Sequence, residues 1–330
     1  MSFFVKLIKF FMQGTRELKR RIKSINNTKK ITRAMEMVAA SKMRRAVAAV
    51  LSIRPYAHSA WSVLTNMARA FENYPLDLLE VREVKKICLI LATSNRGLCG
   101  GFNSHLIRKV FEQVKNPRQL KVNRMGIKRI ESSIPDDQIG IDFITIGKKG
   151  AAAVRKLGKN IVATFDDLAY LPSVEDVRPL AKMVIDDYRT KKYDKVVIAY
   201  TDYISAVIQQ PKFRQLLPIS KIDIEKQLAD MDVLAKEYGL KEPSMEYKVE
   251  PDAKQVLENI LPRLVEMQIY HAILESNASK ESARMIAMRN ATEAAEEMVT
   301  NLTLIFNQLR QASITQEIAE ISAGRAALEN

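Results

Sequence analysis

The chain has 330 residues, of which 47% are apolar and 27% charged, and it carries a formal net charge of +14. This balance fits a folded protein with room for two domains and excludes collagen-like and disordered compositions. No run of 18 apolar residues marks a membrane span, and the two cysteines and three scattered histidines give neither a disulfide framework nor a metal-ligand spacing.

The opening stretch, MSFFVKLIKFFMQG, has its apolar residues interrupted by Lys6 and Lys9, and no small-residue cleavage site follows. It does not read as a signal peptide. A short amphipathic membrane-contacting extension, or translation from Met12, are the readings left for it. Residues 15–54 then lack both Pro and Gly, which predicts a helix of about 40 residues, roughly 60 Å long. Its apolar residues are Leu18, Ile22, Ile25, Ile31, Met35, Val38, Met43, Val47 and Val50. They form one stripe, imperfectly heptad.

The middle of the chain alternates. Residues 85–94 (KKICLILATS) are a continuous apolar run, as expected of a strand buried on both faces. A helix follows over 103–115, a strand over 141–146, a short helix over 148–157 and a strand over 160–164. A helix over 174–190 places Val177, Leu180, Val184 and Tyr188 on one face, and a strand covers 195–200. This β-α-β-α order predicts a Rossmann-like, mostly parallel sheet covered by helices. Residues 117–140 are polar and basic and read as an inserted loop. Residues 224–238 read as a separate amphipathic helix, with Ile224, Leu228, Met231 and Leu234 on one side.

The end of the chain is the most informative part. Residues 263–323 contain no Pro and no Gly and are rich in Ala, Glu, Met, Leu and Gln. That is roughly 90 Å of helix at about 1.5 Å per residue. The expected stripe is Met285, Met288, Met298, Leu302, Ile305 and Leu309, with Ala291, Ala294 and Ala295 allowing close approach of a neighbour. Residues 1–50 hold thirteen Lys/Arg against Glu17 and Glu36, net +11; residues 263–330 hold six Lys/Arg and nine Glu, net −3. Opposite charge and two long stripes predict an antiparallel coiled coil of the terminal helices. The division is a shaft helix over 13–72, an α/β domain over 80–222 with the 117–140 insertion, a connecting segment over 223–250, and a second shaft helix over 253–330.

Candidate chemical motifs are few. SNRGLCGG follows a buried strand, but it fits neither G-x-G-x-x-G nor the P-loop, and reads as a tight strand-to-helix turn rather than a phosphate cradle. Asp166–Asp167 and Asp186–Asp187 are adjacent carboxylates, which point apart on a helix. The twelve Lys/Arg of residues 9–45 lack aromatic interleaving and any nucleic-acid fold motif. Their apolar stripe asks for a helix partner, so no nucleic acid is expected. No cofactor and no catalytic residue emerges.

Six segments carry a family resemblance. INNTKKITRAMEMVAASKMRRA (25–46), SNRGLCGGFN (94–103), QQPKFRQLLPI (209–219), ESNAS (275–279), ESARMIAMRNAT (281–292) and LRQASITQEIAEI (309–321) occur in the order of the gamma subunit of F-type ATP synthase, and the chain resembles that family over most of its length. The departures are residues 1–11, 117–140 and 224–238.

The resemblance implies a rotary central stalk. Its terminal helices would stand inside a ring of three alpha and three beta subunits, and its α/β domain would meet the epsilon subunit and the membrane c-ring. Rotation would drive the catalytic beta subunits through ATP synthesis or hydrolysis, coupled to hydrogen-ion transport, while the chain itself breaks no bond. The resemblance carries beta catch-loop contacts onto Arg310, Gln311 and Thr315, and contacts with an acidic beta segment onto Lys30, Arg33 and Met35. It implies a peripheral place on the cytoplasmic side of a bacterial inner or plasma membrane, an organelle being less expected without a transit peptide. Thiol control through the insertion is not expected, since residues 117–140 contain no Cys. The rival readings are a static coiled-coil scaffold and a nucleic-acid-binding coiled coil.

Overall fold

The computed structural model describes residues 2–53, 55–57, 59, 76–117, 120–125, 128–220, 229, 232–233 and 253–328. Five helices organise these residues: α1 (Ser2–Ser52), α2 (Phe102–Lys115), α3 (Lys148–Lys156), α4 (Val174–Arg189) and α5 (Ala253–Leu328). Seven strands accompany them: β1 (Lys86–Ala92), β2 (Val122–Met125), β3 (Lys128–Glu131), β4 (Gly140–Ile146), β5 (Ile161–Phe165), β6 (Lys195–Tyr203) and β7 (Gln209–Leu217). The chain divides into two compact units, one of Met1–Val38 with Met285–Asn330 and one of Ala39–Arg284.

The second unit is built on a five-stranded sheet in the order β5-β4-β1-β6-β7. β1 pairs in parallel with β4 and β6, β4 with β5 in parallel, and β6 with β7 antiparallel. β1 sits at the centre and is buried on both faces. Cys88, Ile90 and Ala92 enter one core with Val177, Leu180 and Val184 of α4 and Leu261, Val265 and Ile269 of α5. Ile87, Leu89 and Leu91 enter the other, with Leu106 and Val110 of α2 and Val154 of α3. Alternation of side chains across a strand with two apolar faces produces this division. α4 begins with a capping box, in which the Ser173 hydroxyl accepts from the Asp176 amide and the Asp176 side chain from the Ser173 amide.

Two expectations need correcting. Residues 117–140 are not a plain loop: they hold the β2–β3 hairpin, pinned by the Asn123 side-chain amide donating to the Arg82 carbonyl at 2.8 Å. β7 was not expected, because Gln209–Leu217 alternates weakly and contains Pro211 and Arg214. It is an edge strand, where proline is tolerated. The helices also extend beyond the stretches free of Pro and Gly: α1 passes through Gly14, and α5 through Pro262 and Gly324, residues that the expected shaft divisions over 13–72 and 253–330 already include. A glycine in a helix costs only about 1 kcal/mol against alanine, which neighbouring turns absorb. The expected helix over 224–238 lies, but for three residues, outside the described residues.

Candidate coupling surfaces of the helix pair

In the first unit, α1 and α5 run antiparallel. The Lys29 ammonium pairs with Glu296 at 2.9 Å, and one turn along α1 the Thr292 hydroxyl donates to that of Thr32 at 2.8 Å. On α1 the seam positions are Leu18, Ile22, Ile25, Lys29, Thr32 and Glu36, spaced by four and three, with Asn26 and Met35 half-buried beside them. On α5 they are Met285, Met288, Thr292, Ala295, Val299, Leu302, Phe306, Leu309 and Ser313, spaced likewise, with Ile286, Ala287, Ala291 and Thr303 half-buried beside them. This is a heptad seam; Lys29, Thr32 and Thr292 on it are paired, whereas the buried Ser313 hydroxyl has no partner among the described residues. The Lys29 hydrogen bond is also what holds the Glu296 carboxyl below its ordinary range.

The seam departs from the expected stripes. Ile31 and Val38 are 61% and 55% exposed, and Met298 and Ile305 are 57% and 43% exposed. Each lies a residue or more off the seam. Thr32, Ala39, Thr292, Val299 and Phe306 take the inward positions instead. Those apolar side chains therefore face outward and belong to the surface.

The residues carried over from the family fall into two groups. Lys30 and Arg33 are exposed and three residues apart on one face of α1, and Met35 is half-buried beside the seam. Arg310, Gln311 and Thr315 are all exposed on α5. Gln311 and Thr315 are neighbours at i, i+4, and Ile314 and Ile318, 47% and 59% exposed, lie among them. The groups do not meet: given the Lys29–Glu296 level, Arg310 lies about 15 residues further along the pair, roughly 22 Å at about 1.5 Å per residue. Exposed on α1 are also Arg16, Lys19, Arg20, Arg21 and Lys23, with Glu17 the one exposed carboxylate between residues 16 and 38. The outer face of α1 is thus strongly basic. Sequence reasoning missed the outward stripe Ile314–Ile318–Ile321, although its i, i+4, i+7 spacing was legible.

In the second unit, Tyr170 ties the two terminal helices to the domain. Its hydroxyl donates to the Lys42 carbonyl of α1, and its own carbonyl accepts from Asn277 of α5 at 2.9 Å. The ammonium groups of Lys42 and Lys280 stand 5.3 and 5.7 Å from its ring centre. Burial lowers Lys280 to about 8.

The SNRGLCGG turn is closed by its own side chains. Asn103 Oδ1 accepts from the Ser94 amide at 3.1 Å, and Asn103 Nδ2 donates to Cys99 Sγ at 3.3 Å. At the start of α2 the His105 ring lies 2.6 Å from where a Cβ on Gly101 would sit, so the turn has no room for a side chain there. Leu98 and Gly100 turn the chain with φ of 63° and 53°. Cys88 and Cys99 are both buried, and burial pushes the Cys88 thiol up to about 12. Among the described residues, no cluster of His, Cys, Asp or Glu could hold a metal ion, and no helix is long and apolar enough to cross a membrane.

An α/β domain whose terminal helices form an antiparallel coiled coil, with charged and apolar outer faces, defines a shaft component of a larger assembly. The model of the ATP synthase family matches residues 14–328. The ATP synthase gamma chain of Coxiella burnetii (strain CbuG_Q212) is 40% identical over 320 residues, which is 96% of this chain and 100% of that one. That of Legionella pneumophila (strain Corby) is 37% identical over 317 residues, with the same coverage. In fold, the chain is similar to the rotor of Euglena gracilis mitochondrial ATP synthase (TM-score 0.56, 16% identity, 92% of this chain and 99% of that one). It is also similar to the central stalk of the Tetrahymena thermophila enzyme (TM-score 0.51, 24% identity, 79% and 99%). The chain belongs to the ATP synthase family as a gamma chain, the central-stalk subunit of the F-type enzyme.

Proposed function

We propose that the chain turns as a rotor. It transmits rotation of an ion-driven membrane c-ring to the catalytic beta subunits, inside a ring of alpha and beta subunits, with the epsilon subunit on its α/β domain. The observation that carries this reading is the antiparallel heptad seam, whose outer faces hold exposed cations and exposed Ile side chains. Such faces ask for partners rather than for a small ligand. The chain supplies no catalytic group of its own; bond making stays on the beta subunits.

Arg310, Gln311 and Thr315 are the contacts with the beta catch loops in this reading. Arg310 and Gln311 offer several donors to carboxylates and carbonyls. Lys30 and Arg33, with Met35 beside them, face an acidic beta segment, felt over a Debye length of about 8–10 Å. The working division is shaft helices over 13–72 and 253–330, the α/β domain over 80–222 and the connection over 223–250. The place of action is the cytoplasmic face of a bacterial membrane, held there peripherally through the c-ring; the bacterial relatives favour it.

A disulfide tether between an exposed cysteine placed on α5 and a beta subunit tests rotation in the assembled enzyme. ATP hydrolysis should stop on oxidation and return on reduction. Turnover that ignores the tether would refute the rotor and leave a static scaffold.

A further inference from the structure

Two of the segments singled out in the sequence, QQPKFRQLLPI and ESNAS, meet inside the second unit. Arg214 of β7 places Nη1 3.4 Å from His271 Nδ1 and Nη2 3.6 Å from Glu275 Oε2. His271 Nδ1 lies 3.3 Å from the same Glu275 oxygen. The Arg214 guanidinium also stacks 5.1 Å from the Tyr200 ring centre. Arg214, His271 and Glu275 are 5%, 1% and 4% exposed, so all three are out of water. Three turns further along the same face of α5, Gln209 Nε2 donates to Ser282 Oγ at 3.2 Å, and Ser282 donates to the Ala206 carbonyl.

We propose that this cluster is a mechanical key: it fixes the rotational and axial register of α5 on the sheet, so that torque on the α/β domain passes into the shaft. The inference rests on the central-stalk reading and goes beyond it, to the residues that carry the load.

The argument is one of directionality. Most of α5 between Leu261 and Ser282 is buried. Apolar burial is roughly proportional to area and has no direction, so an apolar helix in an apolar sleeve resists withdrawal better than it resists turning about its own axis. The Arg214, His271 and Glu275 charges hold one another only at short range, and the Gln209–Ser282 hydrogen bond holds only at a defined distance and angle. Stability is a poor explanation for the cluster. Buried ion pairs commonly add little over apolar replacements of similar volume, and neither His271 Nε2 nor Glu275 Oε2 makes a hydrogen bond of good geometry among the described residues, so Glu275 Oε2 is held by charge alone. Setting register is the best-attested use of such groups. The positions suit it: His271, Glu275 and Ser282 share one side of the helix, since four and eleven residues are near whole turns at about 3.6 residues per turn.

The test uses the assembled enzyme with Arg214→Met, His271→Leu and Glu275→Leu together, replacements that keep volume and remove direction. The variant should assemble with its alpha and beta subunits and retain ATP hydrolysis. Torsional stiffness, read from the fluctuations of a bead on the α/β domain with the ring immobilised, should be lost, and coupled ATP synthesis should fall with it. Adding Gln209→Cys and Ser282→Cys, then oxidising, should restore both, which a folding defect would not allow. If the triple variant does not assemble, Glu275→Gln carries the same test with a smaller loss expected. An assembled variant with unchanged stiffness and coupling overturns the key. A wild-type chain that brings down no ATPase subunits overturns the stalk reading instead.

Discussion

Thr32 and Thr292 lie 260 residues apart in sequence and share a buried hydrogen bond of 2.8 Å across the helix pair. Thr32 also donates to the Lys29 carbonyl of its own helix, and the Met288 carbonyl, 2.8 Å from Thr292, competes with Thr32 for the single Thr292 proton. Both are nearly buried, at 8% and 4% exposure, on a seam where an aliphatic side chain would be ordinary. A polar pair at a seam position sets the level at which two helices meet. Thr292→Val removes one hydroxyl and leaves the other with a single partner. It should destabilise the chain by about 1 kcal/mol, whereas Thr32→Val with Thr292→Val should cost less than the two single changes combined, because replacing both partners is close to neutral. Urea unfolding followed by circular dichroism measures the cycle; strict additivity would mean that the hydroxyls do not interact.

Ala46 of α1 is wholly buried, next to Val47 and Val50, which are buried as well. Ala46→Leu adds three carbons where nothing yields easily. Overpacking of this kind costs about 1–3 kcal/mol, and the thermal midpoint of the variant should drop accordingly. Ala48→Leu, two residues on at an exposed position, should leave the midpoint where it is. Equal behaviour of the two would contradict the burial of this face.

Asp202 titrates abnormally. Burial, and then the neighbouring Glu275 charge, push its carboxyl up to about 6, while Lys212, 2.8 Å away, pulls the other way. The folded state therefore keeps the proton to higher pH than the unfolded chain does. Stability tied to this group is present below about 3.9, the unfolded value, and is lost as pH rises to about 6. Glu275 has the opposite sign: despite its burial, His271 and Arg214 hold its carboxyl well below the ordinary range. Its contribution is present above the unfolded value and disappears in acid. Asp202→Asn should remove the decline and gain about 1–3 kcal/mol at pH 7, with little difference from wild type at pH 4. Stability curves at the two pH values decide it; an equal gain at both would assign the effect to packing.

The legible part of this molecule was its apolar part. KICLILA announces a strand buried on both faces, and Val177, Leu180 and Val184 announce the helix that covers it. The coiled-coil seam was legible only in outline. It runs through Lys29, Thr32, Glu36, Thr292 and Ala295, polar or small side chains of which Lys29, Thr32 and Thr292 meet a partner across the pair. A template that counts only large apolar residues slides off it to Ile31, Val38, Met298 and Ile305. Those residues are apolar for a different reason: they face whatever surrounds the pair. β7 hid in the same way, since its polar residues Arg214 and Gln215 are buried by pairing with α5 and with the chain beyond, not by apolarity. Pairing between distant segments leaves no periodic trace in one sequence.

Arg310 and Gln311 give the most direct functional prediction. Both side chains are exposed on α5, so replacing them should alter the stability of the chain by no more than about 0.5 kcal/mol. Their donors matter only when a beta subunit is present. Arg310→Ala and Gln311→Ala should each lower ATP synthesis by the membrane-bound enzyme, and the double variant should lower it further, with the amount of assembled complex unchanged. Ile318→Ala, on the same outward face, should weaken the fit without removing a donor and should have a smaller effect. The measurement is ATP synthesis driven by an imposed ion gradient, normalised to assembled enzyme. Full synthesis by the double variant would remove Arg310 and Gln311 from the coupling surface, while leaving the family and the seam untouched.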